Sequence, residues 1–241
     1  MDKSDKSRKI RNVLTGFGIG AVVLLIFVGI IATTTAKPST REQVWDEKMT
    51  KGNLDAKNHY IIYSDLICPY CIAFENTLVE NEEDFDKYLA NNDILLEVRL
   101  ADYLYEFGDS NPVNSRYSAV ATFCAKDEGK FWDYYNKAVA KVWNDFFRDD
   151  GKAGVKGLAN VGKEYWINIG RSVGLTDSFA SCVEEDKSLD AVKATAARMA
   201  EAKVGMPYFK FNKFTQSGYN LVNNYDYVKR LLNEGLKAEN R

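Results

Sequence analysis

The chain has 241 residues, enough to bury one sizeable core or a core with an insertion. At 46% hydrophobic and 27% charged, with four prolines, its composition is that of a globular protein. A formal net charge of −2 leaves no basic footprint and argues against nucleic acid as a partner.

The charge is uneven along the chain. Lys3, Lys6, Arg8, Lys9 and Arg11 precede a stretch from Asn12 to Ala36 that carries no charged residue. Within it, Val13 to Ile31 is dominated by apolar residues and glycine, about the length that spans a bilayer core as a helix. The basic flank keeps the N-terminus in the cytoplasm and sends the rest across. Residues 1–36 therefore read as a basic cytoplasmic tip and a single-pass membrane anchor. A cleaved signal peptide ending near Thr34-Thr35-Ala36 competes, although the apolar stretch of a signal is usually only ~7–15 residues. Residues 37–57 are polar, with Val44, Trp45 and Met49 as the notable apolar side chains, and read as a linker with one helical turn.

His59 to Leu66 is the first predicted strand, its Ile61, Ile62 and Tyr63 suited to a buried sheet. His59, the single histidine, has no companion ligand and reads as an ordinary exposed or half-buried side chain. The strand runs into Cys68-Pro69-Tyr70-Cys71 and then Phe74-Glu75, where a helix begins. Pro69 sits where a missing N–H costs nothing. The unpaired amides and dipole at that end favour negative charge, so a thiolate at Cys68 gains from both. Cys71 lies one turn deeper, within reach of the Cys68 sulfur, which suits a disulfide that is made and broken. As a structural staple, a four-residue loop gives only about 2 kcal/mol, against about 4 for a loop of some sixty residues. With one histidine and no second C-x-x-C, a four-ligand zinc site is hard to assemble.

The helix uses Phe74 and Leu78 and restarts at Asn81, which reads as a fresh N-cap before Glu82, Glu83 and Asp84. Ile94 to Ala101 alternates: Ile94, Leu96, Val98 and Leu100 share one face, Glu97 and Arg99 the other. This second strand completes a βαβ unit, so the two strands pair in parallel. From about Asn111 to Lys203 there is no strand signal. Helical spacing appears around Tyr117 to Cys124, Phe131 to Phe147, Leu158 to Val173, after Thr176 as a cap, and from Leu189 to Ala202. Tyr134, Ala138 and Val142 form a core stripe, and Arg148 to Gly157 reads as a loop. Phe209 to Phe211, a turn at Asn212-Lys213, and Phe214 to Tyr219 form a hairpin. Asn223 or Asn224 caps a last helix with Val228, Leu231 and Leu232 inward, and Gly235 is the expected end of it.

Strand, C-P-x-C and Phe74-Glu75 on the helix resemble the thioredoxin superfamily, and within it the membrane-anchored type of DsbA-like thiol:disulfide oxidoreductase. The resemblance covers most of the chain from about Ala56. It implies an α/β thioredoxin fold, βαβ…ββα, at 58–104 and 204–241, with an all-helical domain inserted at 105–203. It implies a Cys68–Cys71 redox disulfide that introduces disulfides into exported proteins, with Pro69 and Tyr70 tuning its potential. Val204-Gly205-Met206-Pro207 resembles the cis-proline segment opposite the cysteines, where the Met206 backbone pairs with substrate; the plain alternative is a proline that stops the preceding helix. Cysteines near Cys124 and Cys182 are bonded in several relatives, and the long loop and export context suit such a bond; two buried free thiols are the alternative. Asp65 and Glu75 resemble acidic positions that relay protons; the alternative for either is a cap or a surface group.

The resemblance further implies no metal or organic cofactor, unfolded exported proteins with free thiols as substrates, and a monomer outside the cytoplasm. Its reoxidant is a quinone-linked membrane protein of the DsbB or vitamin-K-epoxide-reductase type. Two departures stand out. Ile62 occupies the position, six residues before the first cysteine, where relatives often bury an acid. Tyr70 stands where strongly oxidising relatives often carry histidine, and Pro-Tyr is the dipeptide of glutaredoxins. A potential between those of thioredoxin and DsbA is therefore expected, roughly −130 to −220 mV. A reductase or isomerase on the same scaffold is the first alternative, and a tethered binding or chaperone module with structural cysteines is the second.

Overall fold

The computed structural model describes residues 42–108, 112–148, 161–219 and 224–239. The anchor expected within 1–36 and the loop expected beyond Arg148 lie outside the described residues. Among the described residues no helix is long and apolar enough to cross a membrane.

A 3-10 turn at Glu47–Met49 leads into β1 (Thr50–Lys51) and then β2 (Asn58–Ser64). Helices α1 (Pro69–Glu80) and α2 (Glu82–Asn91) connect β2 to β3 (Ile94–Leu100). The helical block follows: α3 (Tyr103–Phe107), α4 (Val113–Asp127), α5 (Phe131–Val142), α6 (Lys163–Ser172), α7 (Asp177–Glu184) and α8 (Leu189–Ala202). After α5 the backbone widens into a π turn at Trp143–Phe147. The chain closes with β4 (Tyr208–Phe211), β5 (Phe214–Ser217) and α9 (Tyr225–Glu239).

The sheet order is β1-β3-β2-β4-β5. β2 and β3 pair in parallel, as the βαβ reading requires, while β4 runs antiparallel to β2 with Tyr63 opposite Tyr208. One sheet face, with Tyr60, Ile62, Ile94 and Leu96, packs against Phe74, Leu78, Val228 and Leu232 of α1 and α9. The other, with Ile61 and Tyr63, is covered by Ala196 and Met199 of α8. The helical block shares a core with the sheet: Val98 and Leu100 lie in one cluster with Val120, Tyr134, Trp166 and Phe179.

Several local expectations are corrected. From Gln43 onward the stretch expected as a linker is not a free tether. Residues from Gln43 onward belong to the compact unit, Met49 and Ala56 are buried, and β1 extends the sheet antiparallel to β3. Three anchors fix this segment: the Trp45 N–H donates to Glu97 Oε1 at 2.7 Å, Thr50 O accepts from Trp132 Nε1 at 2.7 Å, and Arg99 stacks 4.0 Å from the Trp45 ring centre.

The polar face of β3 is not solvated either. Glu97 and Arg99 are buried and bonded to each other at 3.0 Å. His59, expected exposed or half-buried, is buried with Nε2 3.0 Å from Glu97 Oε2. α8 and the Trp45 segment cover the face that an alternating strand would otherwise leave wet. Asn81 separates α1 from α2 but makes no side-chain cap; its amide donates back to Thr77 O at 2.8 Å.

Gly235 does not end the last helix but lies inside α9. A Cβ there would stand 2.5 Å from Phe211 Cβ and 2.6 Å from Tyr60 Oη, so the glycine admits the helix to the sheet. Thr176 and Asn224 do cap their helices, accepting from Ser178 N and Tyr227 N.

Candidate active site

β2 delivers the chain to the cysteines through a tight turn. Asp65 organises it: its carbonyl accepts from Cys68 N at 3.0 Å, and its Oδ1 accepts from Ile67 N at 3.0 Å. Cys68 is the N-cap of α1, with extended backbone, and its carbonyl accepts the first helical bond from Ile72 N at 2.9 Å. Pro69 occupies the first helical position, as expected, and Phe74 and Leu78 anchor the helix against the sheet. Cys68 keeps 4% of its surface and Cys71 none, and both sulfurs are free thiols. Tyr70, between them, is 47% exposed.

The two cysteines are therefore inequivalent. Burial pushes the Cys71 thiol well up, and the neighbouring Cys68 and Glu75 charges push it further. In the reduced pair Cys71 holds its proton one turn below the helix mouth where Cys68 sits.

Neither Asp65 nor Glu75 is a surface group. Asp65 is fully buried and, beyond Ile67 N, accepts at Oδ2 from Leu104 N at 2.8 Å and Ser115 Oγ at 2.6 Å. It ties the active-site turn to α3 and α4, which is the work of a cap. Burial raises its pKa to about 6, held back by those three bonds. Glu75 lies one turn beyond Cys71, 1% exposed, and burial raises its pKa to about 8. The hydroxyls of Ser64 and Tyr135 face it and moderate that rise, but neither carboxylate oxygen makes a protein hydrogen bond of normal geometry. Glu75 thus places from the helix the buried acid that Ile62 does not supply from the strand.

The Met206–Pro207 bond is cis, and Pro207 is buried directly before β4. The register of β4 on β2 sets Pro207 beside the end of β2, where the chain turns towards Cys68. Its carbonyl accepts from Gly218 N at 2.9 Å, and Met206 packs against the buried cluster that contains Ile61, Tyr63 and Met199. Cys124 and Cys182 are bonded, joining α4 to α7 with Cα atoms 5.9 Å apart. The sequence reading missed Tyr135 and Ser64 beside the buried acid. Tyr135 neighbours the Tyr134 core stripe, and nothing in its spacing separates a residue facing Glu75 from one facing the helical core.

The family described as Thioredoxin matches this chain over residues 45–212. A search of curated proteins found no match. Among solved structures, the chain is similar to a thioredoxin-like oxidoreductase from Silicibacter pomeroyi DSS-3, at 20% identity and TM-score 0.52, covering 80% of this chain and 94% of that one. It is also similar to MdbA, a thiol-disulfide oxidoreductase from Corynebacterium diphtheriae, at 17% identity and TM-score 0.55 over 73% and 90% of the two chains. A third likeness is to alpha-DsbA1 of Wolbachia pipientis, at 17% identity and TM-score 0.54 over 77% and 89%. These likenesses establish a shared fold.

Proposed function

The chain belongs to the thioredoxin family, and on that premise we propose that it is a dithiol–disulfide oxidoreductase that works as an oxidase, introducing disulfide bonds into exported proteins. The observation that carries this reading is the asymmetry of the pair: Cys68 at the mouth of α1, Cys71 sealed one turn below it over a buried acid. In the oxidised enzyme a substrate thiolate attacks the Cys68 sulfur, and Cys71 leaves. A second substrate thiolate then attacks the sulfur bonded to Cys68, which departs as a thiolate, and the substrate keeps the new disulfide. Glu75, neutral near pH 7, is poised to protonate the departing Cys71 and to take the proton back during reoxidation.

In this reading Pro69 and Tyr70 tune the potential, and the Met206 backbone beside Pro207 pairs with an extended substrate. The protein is a single-pass membrane protein, its N-terminus cytoplasmic and its catalytic domain outside. It acts as a monomer on unfolded proteins with free thiols, and a quinone-linked membrane protein reoxidises it. No cofactor beyond the cysteine pair takes part.

Replacing Cys71 with serine tests the reading. The C71S protein should accumulate mixed disulfides through Cys68 with exported proteins, visible as adducts that a reductant dissolves. Recovery of no adducts would reduce the cysteines to structural elements and favour a binding module.

A further inference from the structure

A cavity lies between β3, α4, α8 and the N-terminal segment around Trp45. No residue of α1 and neither active cysteine lines it, so it is separate from the redox centre. About 170 Å³ of it is open to water. A cavity of about 150 Å³ admits a molecule the size of benzene. α8 makes the room by presenting Ala191 and Ala194, whose side chains stop at Cβ.

The charges on its walls do not cancel. Three cations line it, Arg99, Lys126 and Arg198, against two carboxylates, Asp46 and Glu97. Glu97 is held by Arg99 and His59, each at 3.0 Å, and Asp46 by Lys126 at 2.9 Å. Arg198 is the cation left over: it is exposed and has no carboxylate partner among the described residues. Its guanidinium carbon lies 5.3 Å from the Trp45 ring centre, which Arg99 approaches to 4.0 Å. Two guanidiniums thus share one indole on the cavity wall, and an anion placed beside them relieves their mutual repulsion.

We infer that this cavity binds a phosphate group. Arg198 offers a planar fork of donors for two of its oxygens, and Lys126 of α4 has donors beyond the one that Asp46 accepts. Asp127 Oδ1, 3.5 Å from Lys126, stands outside the lining. Arg99 adds charge rather than bonds, because its Nη atoms are held by Tyr63, Gln43 and Glu97. A carboxylate has only two oxygens, both spent on the Arg198 fork, whereas a phosphate has a further one for Lys126. A halide is too small to meet both helices across a cavity of this size.

Such a group has two sources with the same chemistry, a soluble phosphate ester and a phospholipid headgroup. The cavity volume suits the first. Chain length admits the second: the stretch from Ile31, the end of the expected anchor, to Trp45 spans at most about 50 Å when extended. On the anchored reading the cavity therefore stays within that reach of a bilayer surface. Recognition of the phosphate itself does not depend on the cysteine chemistry or on the anchor.

The test is calorimetric titration of the full chain, held in a neutral sugar detergent at pH 7, with inorganic phosphate and with glycerol 3-phosphate. Both should bind saturably, one per chain. Arg198→Gln should weaken them by about tenfold or more, the scale of a lost charge-assisted hydrogen bond. Ala194→Leu should weaken them as much while keeping every charge, because it fills the cavity. Lys193→Gln, exposed on the same helix but outside the lining, should leave affinity unchanged. Repeating the titration in nanodiscs that contain phosphatidylglycerol identifies the source. If headgroups fill the site, the soluble probes no longer bind; if the site serves soluble esters, their affinity is kept. Absence of saturable binding in detergent overturns the inference. So does a Lys193→Gln loss equal to that of Arg198→Gln, which means diffuse attraction, or wild-type affinity in Ala194→Leu, which puts the anion elsewhere.

Discussion

The Glu75 carboxyl and the Cys71 thiol lie one helical turn apart on the same buried face, and the charge of one opposes ionisation of the other. The arrangement has a thermodynamic signature separate from catalysis. The folded state raises the Glu75 pKa from 4.5 to about 8, so between those values the folded protein holds a proton that the unfolded chain has released. Its stabilising contribution is complete below the unfolded value and is lost as pH rises through the folded one, with a slope approaching about 1.4 kcal/mol per pH unit between them. Urea denaturation of the oxidised protein at pH 5, 6.5 and 8 should therefore show stability falling with pH. Glu75→Gln should flatten the upper part of that slope and be the more stable protein at pH 8. Asp65, raised to about 6, keeps a residual slope of the same sign at lower pH. A Glu75→Gln profile parallel to wild type would place the carboxyl in a wetter site than the structure does.

The network under α8 makes the opposite prediction for acid. Burial acts to raise the Glu97 pKa, but bonds from His59 and Arg99 outweigh it, and the carboxyl sits below its usual value. Its contribution is present above the unfolded value and is lost as pH falls. Arg99 also donates to Tyr63 Oη at 2.6 Å and to Gln43 O at 2.9 Å, so it ties the N-terminal segment to the sheet. Arg99→Met should cost about 3–5 kcal/mol, because it strands a buried carboxylate. Adding Glu97→Gln should return part of that loss. Denaturant midpoints of the two single variants and the double close the cycle; strict additivity would mean that the two side chains do not act as a pair.

Gly235 gives a steric prediction. An exposed helical glycine replaced by alanine gains about 1 kcal/mol from propensity. Here the added methyl meets Phe211 Cβ at 2.5 Å and Tyr60 Oη at 2.6 Å, and Tyr60 already donates to Leu232 O at 2.7 Å. Overpacking of this kind costs about 1–3 kcal/mol, so Gly235→Ala should destabilise on balance. A melting temperature at or above wild type would show that α9 shifts freely on the sheet.

What the sequence disclosed follows from how local each signal is. The alternation of Ile94 to Leu100, the Cys68-Pro69 helix start and the cap at Thr176 depend on neighbours within one turn or one strand, and each stands where it was expected. Gly235, His59 and Tyr135 were misread or missed because their meaning comes from partners far along the chain: Phe211 and Tyr60 for the glycine, Glu97 for the histidine, Glu75 for the tyrosine. A helix-end glycine and a close-packed glycine look alike in one dimension. Burial of both faces of β3 was hidden for the same reason, since Glu97 and Arg99 become core residues only once Trp45 and α8 cover them.

The Cys124–Cys182 bond should behave as a staple. It closes a loop long enough for the chain-entropy estimate to give about 4 kcal/mol. Ser188 Oγ lies 3.6 Å from both sulfurs, so serine at each cysteine position has a polar neighbour and leaves little strain. The C124S/C182S double variant should lose about that much stability while its Cys68–Cys71 pair still exchanges with a dithiol peptide. Loss of exchange in a variant that remains folded would mean that the helical block also shapes the redox centre.

The residue between the active cysteines that is left in solvent is the natural control of the redox potential. Tyr70 is 47% exposed, so its side chain can be changed with little effect on packing. A neutral tyrosine supports a reduced Cys68 less than a histidine cation at that place, so the proposed oxidase is expected to have a potential of roughly −130 to −220 mV, between DsbA and thioredoxin. Tyr70→His should stabilise the reduced pair and move the potential upwards by about 30 mV for each tenfold gain. Equilibration of the Cys68–Cys71 pair against glutathione, read by alkylation and mass, measures both proteins. A wild-type value near −270 mV would remove the oxidase reading and leave a reductase on the same scaffold, and an unchanged potential in Tyr70→His would show that the exposed side chain does not reach the field around Cys68.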